Sequence, residues 1–387
     1  MKQFLSLIKT EFKRIFSNNV LLAIFFGAPI VYGLLFGNVY KQAKVIGLPI
    51  VIVDKDQSPL SDKIIDAFRD NPNLKIAKIT YNKEHLAQEM PKNQYTAIVT
   101  IPENFEASIL QKKHPEINVD LDMVNLLNAK TASKHIQRIL MTMNAGFEIE
   151  GLKKKGLNPK QAKESYESFK INYHKLYNST GNYLIFMLPG LLAAIMQQII
   201  FLALALVFAR DFEDGYFYKL IKISKSSLYH VLLKTIPFLI LIPIVWLVVS
   251  YFIKMFHIDI QVYNANIIYL TALFTLASMF IGMLFSILIP SQLKATELLM
   301  VISTPAFILS GFTWPSIAIP NSIAKIAEYI PLTQYLNAFK KIAFYHGNIH
   351  DIQHEINTLW IITLVSFILI LISLQVKIYF ASKKIKA

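Results

Sequence analysis

The chain has 387 residues, 54% of them hydrophobic and 17% charged, with 39 Lys and Arg against 25 Asp and Glu for a formal charge of +14. Charges gathered in blocks between long apolar runs exclude an ordinary soluble enzyme and read as a membrane protein. The lack of cysteine excludes disulfides, thiolate catalysis and Cys-ligated metals, and the basic excess is assigned to the flanks of membrane spans, not to a nucleic-acid surface.

Residues 1–19 read as an amphipathic helix at a membrane interface. Phe4, Leu5, Ile8, Phe12, Ile15 and Phe16 recur at helical spacing, with Lys9, Lys13 and Arg14 between them. The apolar run that follows is too long, and lacks the small-residue cleavage site, for a signal peptide. A bilayer core of about 30 Å needs about 20 apolar residues in a helix. Six stretches approach that length: 20–40, 183–208, 231–253, 267–289, 295–312 and 358–376. Gly27, Gly33 and Gly37 in the first are expected to let helices pack closely.

Residues 41–182, between the first and second spans, change in character. Pro49 to Asp54, Leu74 to Tyr81, Tyr95 to Ile101 and Ile117 to Leu121 read as strands. Ser58-Pro59 signals a helix cap, Asn82 a second, and Pro102 the opening of a third helix. Strands alternating with helices imply a small α/β sheet. The helical text from Asn128 to Lys155, and again after Pro159 towards Tyr177, is expected to be a stalk. Asp54 and Asp56 are assigned to turn hydrogen bonding. His85, His114 and His135 lack ligand spacing, so no metal site and no catalytic group is predicted.

Within residues 183–387 the second span carries Pro189-Gly190 and the pair Gln197 and Gln198. Buried polar groups of this kind either line a pathway or bond helix to helix. Thr304-Pro305 interrupts the fifth span, and like Pro189-Gly190 is expected to act as a kink. The short charged segment 209–228 joins the second and third spans. Segment 313–355 is too polar to span, yet Ile323, Ile326, Ala327 and Ile330 recur helically, which predicts an external hairpin dipping into the interface. Lys and Arg before the first span, after the second, between the fourth and fifth, and after the sixth fall on one side, so both termini are expected in the cytoplasm and 41–182 outside.

Several stretches, in this order, resemble the permease subunit of type-2 ABC exporters, in the branch with a large external domain after the first span. They are Val53-Asp54-Lys55-Asp56-Gln57-Ser58 with Leu60-Ser61, Ile101-Pro102-Glu103-Asn104-Phe105, and Ala209-Arg210-Asp211-Phe212-Glu213-Asp214-Gly215. The last is Ser310-Gly311-Phe312-Thr313-Trp314-Pro315 followed by Pro320 and Ile330-Pro331-Leu332-Thr333. The chain departs from the family at Asp211, where a Glu is usual, at Tyr216 and Phe217, and around Ser224 to Ser226. The resemblance implies a helical polytopic membrane protein of six transmembrane helices with an inserted α/β external domain on a helical stalk. It sits in a bacterial inner membrane, contacting lipid, as an exporter for an amphipathic, drug-like or lipid-linked compound, multidrug efflux included.

No Gly-x-x-x-x-Gly-Lys-Ser/Thr loop occurs. The chain is therefore expected to be no enzyme and to bind no cofactor of its own. The resemblance implies ATP and Mg in a separate ATPase present in two copies, and a second permease chain, identical or paralogous. It also implies that Arg210, Asp211, Glu213, Asp214, Gly215, Tyr216, Lys219 and Leu220 couple to that ATPase, the acids pairing with its basic groups. Gly311, Trp314, Pro315 and Pro331 are expected in an external gate. Two alternatives stay open: a mechanical or signalling protein whose external domain engages a periplasmic or envelope partner, and a membrane-anchored receptor.

Overall fold

A computed structural model of the chain describes residues 2–41, 44–166, 176–178 and 181–386. The chain forms two compact units, one of residues 1–43 with 175–387 and one of residues 44–174.

The chain starts with helix α1 (Lys2–Phe16). The first apolar segment is a composite: α2 (Asn19–Leu22), one wide π turn (Ala23–Gly27) and α3 (Ala28–Val39). Pro29 has no N–H to give its preceding turn. The wide turn absorbs the deficit, with the Ala28 N–H reaching back to the Ala23 carbonyl.

The second unit holds β1 (Leu48–Asp54), α4 (Pro59–Arg69), β2 (Leu74–Thr80), α5 (Leu86–Asn93), β3 (Ala97–Ile101), α6 (Phe105–Leu110), β4 (Asn118–Leu121), α7 (Leu126–Lys154) and α8 (Pro159–Tyr166). The sheet order is β2-β1-β3-β4, with β1 parallel to both neighbours and β4 antiparallel to β3. Alternate residues of β1 serve opposite faces. Ile50 and Ile52 pack with Ile64 and Phe68 of α4 and with Ala132 and Ile136 of α7, while Val51 and Val53 pack with Leu86 and Met90 of α5.

Ser58 caps α4 in a reciprocal box with Ser61, and Pro59 takes the first helical position. The other two helix starts differ from expectation. Asn82 turns its side chain onto the Glu84 N–H (2.9 Å) and α5 begins only at Leu86. Pro102 does not open α6, because Asn104 adopts a left-handed φ of 57° before it. The first half of α7 is part of this core, through Ala129, Ala132, Ile136 and Ile139, and is not a free stalk. The continuation expected beyond Tyr166 falls on residues 167–175, outside the described residues.

The rest of the first unit comprises α9 (Tyr183–Glu213), α10 (Tyr216–Ile223), α11 (Ser227–Met255), α12 (Ala265–Leu288), α13 (Gln292–Leu309), α14 (Asn321–Ala327), α15 (Pro331–Ala343) and α16 (Gln353–Lys386). Helices α9, α11, α12, α13 and α16 are long and apolar enough to cross a membrane, and Ala23–Val39 is apolar but shorter. This is the build of a polytopic helical membrane protein. Helix α9 is buried along most of its length and packs against α3, α11, α12 and α13. Gly33 and Gly37 lie against the rings of Phe252 of α11 and Phe256 just beyond its end, where any Cβ would overlap them; Gly27 faces open space.

Thr304-Pro305 does not break α13, which runs unbroken from Gln292 to Leu309. The Thr304 hydroxyl instead donates back to the Met300 carbonyl (2.7 Å). Segment 313–355 also departs from the expected interfacial hairpin. Ile326 is 67% exposed, whereas Tyr335 of α15 is fully buried. The Tyr335 ring stacks on Phe274 at 4.4 Å and its hydroxyl lies 3.3 Å from that of Thr271, both on α12. Helix α15 is a core element because Leu332, Tyr335, Leu336 and Phe339 face the bundle together.

Candidate functional site

Helix α9 does not stop where its apolar run stops. It continues through Arg210, Asp211 and Glu213, because polarity alone does not end a helix. Gly215 ends it, with a left-handed φ of 68° that favours glycine. The chain then turns straight into α10. Phe217, Leu220 and Ile221 of α10 are buried, while Tyr218, Lys219, Lys222 and Ile223 face outward. Ser226 caps the start of α11, and His230 one turn later bonds the Ser224 carbonyl (2.8 Å).

One turn beyond His230, α11 carries Lys234, whose side chain is 2% exposed. Its Nζ lies 2.8 Å from Glu11 of α1 and 2.6 Å from Asp211 of α9. The other oxygen of Asp211 meets Arg14 of α1 at 3.0 Å. Arg14 also reaches Asp214 (3.2 Å) and lies over the Tyr216 ring, 4.1 Å from its centre. Arg210 reaches Asp214 (3.4 Å) and donates to the Arg14 carbonyl (3.0 Å). Burial pushes the Tyr216 phenol above its ordinary range.

Three cations (Arg14, Arg210, Lys234) thus meet three anions (Glu11, Asp211, Asp214), so the cluster is neutral as a whole. Neutrality is what makes its burial tolerable, since an unpaired buried charge is costly. A cavity of about 30 Å³ lies beside it, lined by Glu11, Arg14, Asp211 and Lys234 together with Pro237 and Phe238. Space and polarity of that order suit a water or two. The cluster ties α1, the end of α9 and the start of α11 into one block, with α10 laid across it.

The acids expected to face a partner are engaged inside the molecule. Asp211 is fully buried, and Asp214 is paired twice. Glu213 accepts from both the backbone and the side-chain N–H of Gln292, the backbone bond at 2.8 Å. It thereby caps α13, whose own Ser291 makes no side-chain cap. The charged groups left facing outward on α10 and the turn after it are all basic: Lys219, Lys222 and Lys225 make no ion pair among the described residues.

The remaining candidates lie elsewhere. Gln197 is buried and Gln198 half-buried in mid-α9. Pro189 and Gly190 are buried in its first half, where Gly190 receives the Phe312 ring that stacks on Phe186 at 4.7 Å. Gly311 turns the chain after α13 with φ 75°, Trp314 and Pro315 are exposed, and Pro331 opens α15. Arg210 and Phe186 are separated by about 36 Å of helix, so these residues form no common site with the ionic cluster. Among the described residues no group of three or more His, Asp or Glu is placed to hold a metal.

Sequence reading missed Glu11 and Lys234. Both had a signal: Lys234 is a lone charge among apolar neighbours on α11, where a charge needs a partner, and Glu11 is the one acid of α1.

The family model for ABC-2 family transporter proteins matches residues 20–372. The inner membrane transport permeases YhhJ of Escherichia coli (strain K12) and of Shigella flexneri are each 33% identical to the chain over 92 residues, which is 24% of this chain and 24% of each relative. The chain thus aligns with about a quarter of the length of the curated relatives it matches. The family match covers most of the sequence, including Arg210, Asp211, Asp214 and Lys234 of the ionic cluster but not Glu11 and Arg14, and the chain belongs to the ABC-2 family of transporter proteins.

Proposed function

We propose that the chain is the permease subunit of an ATP-driven exporter, with α10 as the lever on which a separate ATPase pushes. The observation that carries this is the buried, neutral ionic cluster. A displacement of α10 that carries Tyr216 pulls on Arg14 beneath its ring, and with it on α1, α9 and α11, because separating Arg14 or Lys234 from Asp211 leaves a buried carboxylate short of a partner. Family membership implies an ATPase partner. ATP and Mg belong to that partner, in two copies, one for each of two permease chains.

In this reading Ala23–Val39 is the first of six spans. The termini and α10 are cytoplasmic, and residues 44–174 form an external domain. The relatives' name supports a bacterial inner membrane. The substrate class is an amphipathic, drug-like or lipid-linked compound. Lys219, Lys222 and Lys225 call for an acidic docking surface on the ATPase, the reverse of the sign expected from Asp211, Glu213 and Asp214.

The test is co-purification of the ATPase with a permease carrying Lys219→Glu, Lys222→Glu and Lys225→Glu. Loss of the ATPase and of ATP-dependent export is expected, with elution of the permease unchanged. Full retention of both would overturn α10 as the docking element.

A further inference from the structure

A second cavity, of about 250 Å³, lies between α11 and α12, lined from Leu239 to Trp246 on one helix and from Ile268 to Met279 on the other. It is many times what one water needs, roughly 10–15 Å³. Its chemistry is settled by its two hydroxyls, both already used. Thr271 is bonded to Tyr335 (3.3 Å), and Thr275 donates to the Ala272 carbonyl (2.8 Å). Apart from the indole N–H of Trp246, no polar side chain in the lining asks for a water or a polar ligand, and a cavity so largely apolar suits hydrocarbon better than water.

Its shape and surroundings define the occupant. The lining runs along α12 from Ile268 to Met279, twelve residues with a rise of about 16 Å, which suits a linear chain better than a compact molecule. Pro243 removes an N–H and a turn-forming bond from the wall on α11. Around the mouth, Leu239, Ile240, Ile244, Leu247 and Ile268 are exposed and apolar. Both helices are of membrane-crossing length and composition, so hydrocarbon is the medium that reaches this opening.

We propose that this cavity seats one acyl chain of a bilayer lipid, held between α11 and α12 against Trp246. This does not depend on what the protein transports. Since lipid tails are as apolar as the wall, the preference comes from packing contacts and not from the hydrophobic effect.

Trp246 supplies the reporter. The full chain has three tryptophans, so Trp314→Phe with Trp360→Phe leaves Trp246 alone, and Trp246→Phe with Trp314→Phe leaves Trp360, 40% exposed on α16, as the reference. Each protein is placed in phosphatidylcholine vesicles with a rising fraction of lipid brominated on its acyl chains. Trp246 is expected to be half-quenched at a brominated fraction about threefold below that for Trp360. Ala272→Phe, which fills the mouth, should bring the Trp246 curve onto the Trp360 curve. Ala272→Leu is a smaller filling if Phe prevents folding, and Leu232→Phe, at an exposed position of α11 about two turns before the lining, should leave the curve unmoved. Coincident curves before filling, or a curve unaffected by filling, would overturn the proposal. So would a Trp246 that brominated lipid does not reach, since another protein surface would then cover the groove.

Discussion

Asp54 and Asp56, at the end of β1, and Glu11 and Asp211, in the helical unit, are carboxylates withdrawn from water by opposite means. Asp54 accepts the Asp56 and Gln57 N–H groups (3.1 Å each) and the Ser61 hydroxyl (2.8 Å). Asp56 accepts the Phe105 N–H (2.8 Å), the Glu106 N–H (3.0 Å) and the Ser58 hydroxyl. Every partner there is a neutral donor, fixed by the backbone or by its own helix cap. Glu11 and Asp211 are held by cations on long side chains from other helices. Neutral donors fix a local turn and join the start of α4 to that of α6 beyond the ends of the central strands β1 and β3. Ion pairs join elements distant in sequence, and their cost depends on the count of charges staying even. The first arrangement suits a rigid scaffold. The second suits a junction where helices must move as one body.

The sharpest way to break this contrast is to unbalance the ionic cluster. Lys234→Met leaves Glu11 and Asp211 buried without their shared cation. A loss of about 3–5 kcal/mol is expected, seen as a large fall in the thermal midpoint of the purified protein in detergent. Removing one anion as well, with Glu11→Gln on top of Lys234→Met, should restore most of that midpoint, because Arg14 and Arg210 then face Asp211 and Asp214 with no uncompensated charge. The two proteins then separate stability from coupling. The double variant is expected to fold, to retain the ATPase, and to lose ATP-dependent export. Export at the normal rate by a folded double variant would show that the cluster only holds the helices together.

The matching change in the other unit is smaller. Asp56→Ala strips α6 of the acceptor for its first two N–H groups and frees the Ser58 hydroxyl. About 1–2 kcal/mol is expected, the range for a lost helix cap. Hydrogen exchange should rise at Phe105 and Glu106 while the α9 amides stay as they were. Asp56→Asn keeps one acceptor and should fall between. A uniform rise across both units would contradict the local role assigned to this aspartate.

Much of the fold was legible because its signals are local. The buried-strand text of β1, the Ser58-Pro59 cap and the apolar runs of α9, α11 and α12 each follow from a few adjacent residues. The failures share a cause as well. Asn82 and Pro102 carry cap chemistry, but tertiary bonds and left-handed residues at His85 and Asn104 moved the helix starts downstream. Helix α15 was taken for an interfacial element by its average polarity, although one face is wholly apolar and aromatic. In the candidate site, the short charged segment joining the second and third spans was readable from the chain. The partners of Asp211 were not, since Arg14 lies about 200 residues away and Lys234 on another helix, and only packing brings them together. The acids looked available because a short charged stretch normally lies in water; here its first turn is the buried end of a helix.

Glu213 gives the finest test, because it belongs to neither class. It is a charged group with neutral donors, like Asp56, but it joins two membrane-length helices, like Asp211. Its carboxylate takes the place of a cap that Ser291 does not make, and an anion at a helix N-terminus gains from the helix dipole as well. Glu213→Ala removes both contributions and should cost about 1 kcal/mol. Glu213→Gln keeps an acceptor and forfeits only the charge, which at this exposed site amounts to about 0.3–1 kcal/mol. Both effects should appear as faster hydrogen exchange at the Gln292 amide and the first turn of α13, larger for Ala than for Gln, with the Lys234 cluster and its thermal midpoint nearly unchanged. Were Glu213 instead a contact for the ATPase, either substitution would weaken co-purification while leaving the α13 amides as protected as before. The two roles therefore predict opposite patterns on the same pair of variants.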